Sequence, residues 1–306
     1  MLASLLISWA AMIRPDDADV TFLVVENDKI ARSENVVRGF GHEHPGMPLH
    51  YMLEKRIGIP FARNRAVDYV VASGHDLLLF VDDDETVDPL WLAHMIAEFR
   101  RSGALLIGGP VEALPPSGNL EGLSRILFEG IHRRYRKRAE QAYCNSLQGD
   151  TRRTAVVTSN WLGHRDLFTR FGLRFDETMS ESGGSDMKFS DDASREGVSK
   201  SWANEAFVRE LIPIERISFG YQFRRSRDQT IVSFQRKRDR NQVAAVLSDA
   251  VIIPIRALGI CGLGLTLPFS GGQALTTIAR NAGWIAGRIA ARLGTRSRLY
   301  ENVTGD

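Results

Sequence analysis

Apolar residues fall into short continuous blocks separated by polar turns over the first two-thirds of the chain. Residues 21–25 (TFLVV) and 76–81 (DLLLFV) have strand length, and 105–107 (LLI) and 155–158 (AVVT) are shorter blocks of the same kind. Strands this uniformly apolar fit burial on both faces of a sheet. Between them the pattern turns helical. One helix is expected over 62–72, stopped by Ser73-Gly74, and another over 89–101, opened by Pro89 and stopped by Ser102-Gly103. Strands alternating with helices predict an α/β domain with a doubly wound, mostly parallel sheet. The stretch around His42-Glu43-His44-Pro45-Gly46 reads as an exposed polar loop rather than a metal-binding pair.

Residues 2–13 form an uncharged, mostly apolar run. No Lys or Arg precedes it, as a signal peptide requires, and it is too short to span a bilayer. It reads as a buried helix ended by Arg14-Pro15-Asp16-Asp17. Residues 121–140 read as an amphipathic helix with a basic end at Arg133, Arg134, Arg136, Lys137 and Arg138. A solvated face and a phosphate or lipid contact both fit that end.

The tail departs from this pattern. Between Arg256 and Arg280 lie 23 residues without a charge, interrupted at Pro268, Ser270, Gly271 and Gly272. Arg280, Arg288, Arg292, Arg296 and Arg298 follow among apolar residues. This predicts two helices lying in the interfacial plane of a membrane, with arginines toward lipid phosphates. The alternative is a pair of core-packing helices. The domain boundary is expected at 235/236, between a catalytic domain and a basic, apolar helical tail.

Charge reinforces the division. The chain is 306 residues long with a net charge of +2. From Phe207 onward 15 Lys and Arg face 7 Asp and Glu, a net of +8, which leaves the first 206 residues at −6. An acidic body with a basic, apolar tail suggests an anionic surface as the tail's partner. No zinc finger, basic zipper or helix-turn-helix pattern accompanies the charge, so nucleic acid is not expected as a partner. At 43% apolar and 25% charged the chain is not disordered, collagenous or a coiled coil. Cys144 and Cys261 exclude a disulfide framework and fit inert thiols in a reducing compartment.

The chemistry concentrates after DLLLFV, where Asp82-Asp83-Asp84-Glu85 follows a strand end. Ligands of open α/β sheets bind beyond the carboxyl ends of strands. If the segment is extended, Asp82 and Asp84 face one way. Paired hard oxygens suit Mg²⁺ or Mn²⁺, bridging to a diphosphate. An acidic loop capping the following helix is the structural alternative. Trp91, Trp161 and Trp202 read as packing residues, with Trp161, beside Asn160, the best candidate for a sugar platform.

The ordered series Ala62-Arg63-Asn64, Asp82-Asp83-Asp84-Glu85, Thr158-Ser159-Asn160, Phe175-Asp176-Glu177 and Gly183-Gly184-Ser185-Asp186 resembles the family-2 glycosyltransferases, and most closely bacterial exopolysaccharide enzymes of the succinoglycan type. The resemblance covers about residues 1–235 and implies a GT-A-like fold. It places the family's metal-binding motif on Asp82, Asp83 and Asp84, with Asp82 and Asp84 as ligands. It places donor-nucleotide contacts on Asn27 (within Glu26-Asn27-Asp28), Arg63, Asp82 and Asp83. Acceptor or leaving-group contacts fall on Asn160, Gly184 and Arg225. The family's Glu-Asp pair falls on Ser185 and Asp186, so the catalytic base is kept and its neighbour is replaced. Gln222-Phe223-Arg224-Arg225-Ser226 matches the processive-synthase pattern weakly, which favours single additions. Relatives open with an apolar strand that has no counterpart before residue 21. That implies a sheet short of one strand, poor stability and weak UDP binding.

The implied reaction is inverting transfer of a sugar from a nucleotide-diphosphate donor, a UDP-hexose at family level, to a hydroxyl of a lipid-linked glycan. A divalent cation offsets charge on the departing diphosphate, and Asp186 takes the acceptor proton. The implied location is the cytoplasmic face of the inner membrane, peripheral or monotopic through the tail. Two other readings stay open. Leu79 to Thr86 also matches the nucleophile motif of haloacid-dehalogenase-like phosphatases, with Asp82 attacking and Asp84 as acid/base. The chain also fits a membrane-associated scaffold whose site has decayed.

Overall fold

The computed structural model describes residues 1–151, 153–154, 156–180, 183–240, 242–267 and 274–295, with the side chains of 236, 237, 239, 240 and 242–248 left aside. The chain divides into two compact units. The first comprises 1–112, 135–180 and 185–210, and the second 113–134, 181–184 and 211–306. In chain order the elements are α1 (Leu2–Ala10), β1 (Phe22–Glu26), α2 (Glu34–Glu43), β2 (Leu49–Leu53), α3 (Ile59–Ser73), β3 (Leu77–Val81), β4 (Glu85–Val87), α4 (Trp91–Ser102), β5 (Leu106–Gly108), β6 (Val111–Leu114) and α5 (Gly122–Leu147). There follow β7 (Asn160–His164), α6 (Asp166–Thr169), α7 (Ser185–Arg195), β8 (Lys200–Trp202), β9 (Val208–Leu211), α8 (Phe219–Arg240), α9 (Gln242–Thr266) and α10 (Ala274–Arg292).

The apolar blocks become strands buried on both faces. In β3, Leu78 and Phe80 join one core cluster, with Val67, Val70, Trp161, Phe175 and Phe189. Leu77, Leu79 and Val81 face the other, with Phe22, Trp91, Met95 and Val208. Neighbours in β5 and β7 split the same way: Leu106 and Trp161 to the first cluster, Ile107 and Leu162 to the second. Alternation with both sides apolar is the period-two signature of an interior strand. The helix stops fall where Ser73-Gly74 and Ser102-Gly103 placed them. Gly74 (φ 74°) and Gly103 (φ 61°) take the left-handed conformation that glycine adopts without steric cost.

The sheet departs from the expected mostly parallel winding. Its order is β3-β7-β5-β8, and β7 runs antiparallel to both β3 and β5 (Leu79 opposite Leu162, Ile107 opposite Leu162). β5 and β8 are parallel. β1 and β2 form a separate parallel pair, and β4, β9 and β6 a third sheet. Among the described residues β1 is therefore paired along one edge only, by β2, and β3 along one edge only, by β7. The strand expected at 155–158 starts instead at Asn160, because Asn160 N–H closes a turn on Val157 O (3.3 Å); Ala155 lies outside the described residues. The expected histidine loop begins two residues later than read: His42 and Glu43 close α2, with His42 bonded to Arg38 O, and His44 to Gly46 form the turn, with His44 stacked on Phe40.

In the second unit α10 packs on α8. A Cβ on Gly283 would meet Phe223 O at 2.2 Å, and one on Gly287 would meet Arg227 O at 2.4 Å, so both positions admit only glycine at this approach. Ser226 Oγ bonds Arg280 O at 2.7 Å. The arginines expected to face lipid phosphates are turned to protein partners. Arg288 is 2% exposed with Nε 3.3 Å from Asp249, Arg292 reaches the same carboxylate at 3.2 Å, and Arg280 donates to Gln222 and Gln229. A buried carboxylate on α9 draws Arg288 and Arg292 inward. The chain break expected at 268–273, and Arg296 and Arg298, lie outside the described residues. Residue 235 falls within α8, so the expected boundary lies inside one helix of the second unit.

Candidate active site

The acidic triplet caps the carboxyl end of β3, in a tight turn. Glu85 N–H donates to Asp82 O (3.2 Å), and Asp82 N–H donates to the Glu85 carboxylate (2.9 Å). The extended geometry expected for Asp82 and Asp84 is thus replaced by a turn, because Glu85 must enter β4 at once and pair with Glu210 of β9. The turn crowds like charges. The Asp82 side chain keeps 49% of its surface, yet sits recessed enough that desolvation pushes its pKa up to about 6. Arg63 pulls it down, and Asp84, Asp83 and Asp186 push it further up. Asp83 is raised by desolvation and then by Asp84. Glu85 is buried, and burial followed by Asp82 holds its carboxyl well above the usual range.

Arg63 joins three elements. It projects from α3, with side-chain exposure of 15%, its Nη2 3.8 Å from Asp82 Oδ1 and its Nη1 donating to Ser185 Oγ at 3.4 Å. Its guanidinium lies 5.6 Å from the centre of the Phe175 ring. Ser185 is buried and opens α7, which puts half-buried Asp186 in that helix's first turn and within electrostatic reach of Asp82. The α3 arginine, the β3–β4 turn and the α7 aspartate therefore meet at one place. Gly183 (φ 73°) and Gly184 (φ 82°) precede α7 in the chain. Arg225 belongs to α8 in the second unit, with Tyr221 OH 3.0 Å from its Nη1.

Three asparagines of the sequence motifs act as struts. Asn27 spans to the β2–α3 loop, donating to Glu54 O (3.1 Å) and Arg56 O (2.8 Å) and accepting from Gly58 N–H (2.7 Å). Asn64 bonds Phe175 in both directions, at 2.9 Å each, and donates to Glu177. Asn160, expected at the acceptor, has no exposed surface. Its Oδ1 accepts from Trp91 Nε1 (2.8 Å), and its Nδ2 donates to Pro110 O and Ala206 O (2.8 Å each). A Cβ on Gly109 would lie 2.5 Å from that Nδ2, so the strut needs glycine opposite it. Trp161, the platform candidate, is buried among Phe80, Phe175 and Phe189.

Sequence reading passed over two residues of this neighbourhood. Glu85 caps the turn; its signal was one more acid in an apolar-flanked run. Phe175 lies under Arg63; its signal was the aromatic opening of the Phe-Asp-Glu motif. Glu26 is likewise engaged, accepting from Arg32 N–H, Ser33 N–H and Tyr51 OH.

Among the described residues no three His, Cys, Asp or Glu side chains converge on a point that would hold an ion unaided. Mg²⁺, however, is commonly bound by one or two carboxylates completed by substrate phosphates and water. Asp82 and Asp84 supply such a partial shell of hard oxygens. Desolvation is the main cause of the upward shift of Asp82, and the neighbouring Asp84, Asp83 and Asp186 add to it against Arg63. The residues fit a metal that arrives with a diphosphate.

Residues 3–168 match the model of the family described as Glycosyl transferase family 2. The succinoglycan biosynthesis protein ExoM of Rhizobium meliloti (strain 1021) is 29% identical over 228 residues, which are 72% of this chain and 66% of that protein. The match thus spans just under two-thirds of that relative's length. Among solved structures, S. aureus TarS 1-349 superposes with a TM-score of 0.49 and 14% identity over 96% of this chain and 88% of that one. Its complex with UDP-GlcNAc gives 0.49 and 13% over the same shares. Below a TM-score of 0.5 these superpositions carry no weight for the site or its ligand.

Proposed function

The chain belongs to glycosyl transferase family 2, and from that membership we propose that it transfers a hexose from a UDP-hexose donor to a hydroxyl of a lipid-linked glycan in exopolysaccharide biosynthesis, with inversion and with Mg²⁺ or Mn²⁺. The convergence of Asp82–Asp84, Arg63 and Asp186 at the end of β3 carries this reading.

Breaking the sugar–phosphate bond develops negative charge on the leaving diphosphate. A divalent cation held by Asp82 and Asp84 supplies the Lewis acidity that offsets that charge. Arg63 stands beside Asp82 with long contacts only, so it can turn to an incoming phosphate as a charged donor. Attack by the acceptor oxygen requires loss of its proton, and Asp186, in the first turn of α7 beside Arg63's partner Ser185, is the proposed base. Ser185 stands where the family has glutamate. A short neutral side chain there gives Arg63 a hydroxyl partner at 3.4 Å in place of a carboxylate at that position. Attack on the anomeric carbon with a single base, as proposed, corresponds to a single displacement and hence to inversion. The acceptor glycan and the membrane surface belong to the proposal, as do the roles of Asn27, Gly184 and Arg225 toward substrates. Location at the cytoplasmic face of the inner membrane, peripheral or monotopic, follows from where nucleotide sugars and such acceptors meet.

The family match includes the acidic turn itself, which leaves the phosphatase alternative without support. The test is a donor screen on membranes carrying the full chain, scoring nucleoside diphosphate and glycosylated lipid together. UDP release with sugar transfer, lost in Asp84→Ala, supports the reading. Phosphate release without transfer, or no turnover with any donor, refutes it.

A further inference from the structure

Helix α9 has its polarity reversed for a helix in water. Its charges lie on the inner face. Asp249 is fully buried, and Arg256 is half-buried with its guanidinium 4.3 Å from the Trp284 ring centre on α10. Its outer face is apolar: Val251 and Ile255 are each 61% exposed, Leu258 72% and Leu265 79%. With Gly262 between the last two, these positions recur at steps of four, three, four and three, one stripe along the helix. A surface helix of a soluble protein shows the opposite arrangement.

The length and composition agree. No charged residue lies between Arg256 and the helix end at Thr266. Asp249–Thr266 has a mean hydropathy of 1.6 and is long and apolar enough to cross a membrane, yet Asp249 is its one fully buried residue. A core helix of equal composition would be hidden. An apolar stripe of this extent left bare in water marks a contact surface. α10 differs, because its Ala279, Gly283 and Gly287 are buried, the two glycines against α8. The arginines nearest α9 are engaged within the protein. Arg288 is buried on Asp249 and over the Trp284 and Phe234 rings (4.9 and 5.0 Å), and Arg292 shares Asp249.

We propose that the stripe Val251–Ile255–Leu258–Leu265 of α9, rather than α10 or the arginines, is the surface that docks on a lipid bilayer. Burial of apolar area drives the docking, and Asp249, Arg256 and Arg288 hold the helix from behind. This deepens the membrane-facing part of the proposed function and is independent of its donor chemistry. The arrangement makes binding far less dependent on anionic lipid than the basic composition of the tail suggests.

Cys261 is exposed on α9 between Leu258 and Leu265. The full chain carrying Cys144→Ser takes a polarity-sensitive fluorophore there and is mixed with vesicles of phosphatidylcholine alone, or with one-third phosphatidylglycerol. The expected result is co-sedimentation with both, differing by less than about threefold, and a blue-shifted emission on both. Unlabelled Leu258→Glu/Leu265→Glu should partition at least about tenfold more weakly, with UDP-hexose affinity unchanged. Co-sedimentation without a change in emission would overturn the role of α9 while leaving a membrane contact standing. So would binding to the anionic vesicles alone. A concentration-dependent doubling of mass without lipid, abolished by the same double variant, would assign the stripe to a second copy and overturn the proposal. Absence of binding to any vesicle would overturn both the proposal and the membrane contact, and donor turnover in solution would still report on the chemistry.

Discussion

Under the proposed function, Asp82 with a pKa of about 6 makes metal-dependent donor binding fall with acid in a calculable way. A cation competes with the proton for that carboxylate, so the apparent dissociation constant scales with one plus the ratio of protonated to ionised Asp82. At pH 5 the penalty is about 11-fold relative to pH 8, and it grows about tenfold per further unit. Arg63 sets part of this value. Two charges 3.8 Å apart interact by about 1 kcal/mol in water and about 4 kcal/mol near a protein surface. Asp82 keeps half its surface, so screening favours the lower end, and about 1.4 kcal/mol corresponds to one pH unit. Arg63→Gln should therefore move the acid limb from about 6 to about 7 and raise the pH 5 penalty to about 100-fold. Asp186→Asn removes a repelling charge and should move the limb the other way. Calorimetric titration with a UDP-hexose and Mg²⁺ between pH 5 and 8 measures both. A sugar nucleotide suits this better than UDP, whose terminal phosphate itself titrates in the window. Position of the limb, not absolute affinity, is the readout, because Arg63→Gln also weakens binding directly. A flat profile from pH 5 to 7.5, or limbs that coincide in the three proteins, would refute the electrostatic reasoning.

Three further outcomes follow from particular side chains. Asp186→Asn should lower turnover by roughly 10²-fold or more with donor affinity nearly intact, and comparable turnover in variant and parent would move the base elsewhere. Lys200, buried with Nζ on Ser190 O, Ser190 Oγ and Ser194 Oγ, has a pKa depressed to about 8 by desolvation. The unfolded chain binds the extra proton between that value and the usual 10.5, so stability should rise with pH there by at most about 1.4 kcal/mol per unit; urea midpoints at pH 8 and 10 test the slope, which Lys200→Met should remove. Asn160→Ala strands the Trp91 N–H and two carbonyls, at about 1–3 kcal/mol each, and a shift of the urea midpoint equivalent to under 1 kcal/mol would disprove its role as a strut.

Legibility followed the physical range of each signal. Helix stops at Gly74 and Gly103 were readable because glycine records a local backbone need. β1, β3 and β5 were readable because two-faced burial writes an unbroken apolar run. β2 (LHYML) and β8 (KSW) were not, since their alternation includes His50 and Lys200, whose environment is supplied from elsewhere in the fold. The antiparallel β7 was invisible for the same reason: strand direction depends on where α5 returns the chain. The acidic triplet was legible as chemistry but not as geometry, because the turn is closed by a hydrogen bond to Glu85 rather than by any turn residue. Arg288 and Arg292 were misread as lipid-facing because only the fold brings Asp249 to them.

The three asparagines and the acids of the site divide the work in a way that explains both the correct and the incorrect readings. Asn27, Asn64 and Asn160 each tie together loops 27 to 111 residues apart in sequence. An amide carries donor and acceptor at once, so it satisfies backbone groups of both kinds without burying a charge. Each was conspicuous in the sequence beside the motifs it supports, and proximity to a motif is what a strut and a substrate contact share. Carboxylates in the same places would accept but not donate, and would pay desolvation for it. At the end of β3 the preference inverts. Asp82, Asp83 and Glu85 all sit above their ordinary pKa, which means the folded chain holds them at an electrostatic cost that neutral amides would avoid. A turn that retains this cost, with one long-range arginine as its nearest offset, is where the proposed function puts a cation that arrives with its substrate. The fold spends neutral side chains on geometry and keeps its destabilising charge where the diphosphate is proposed to bind.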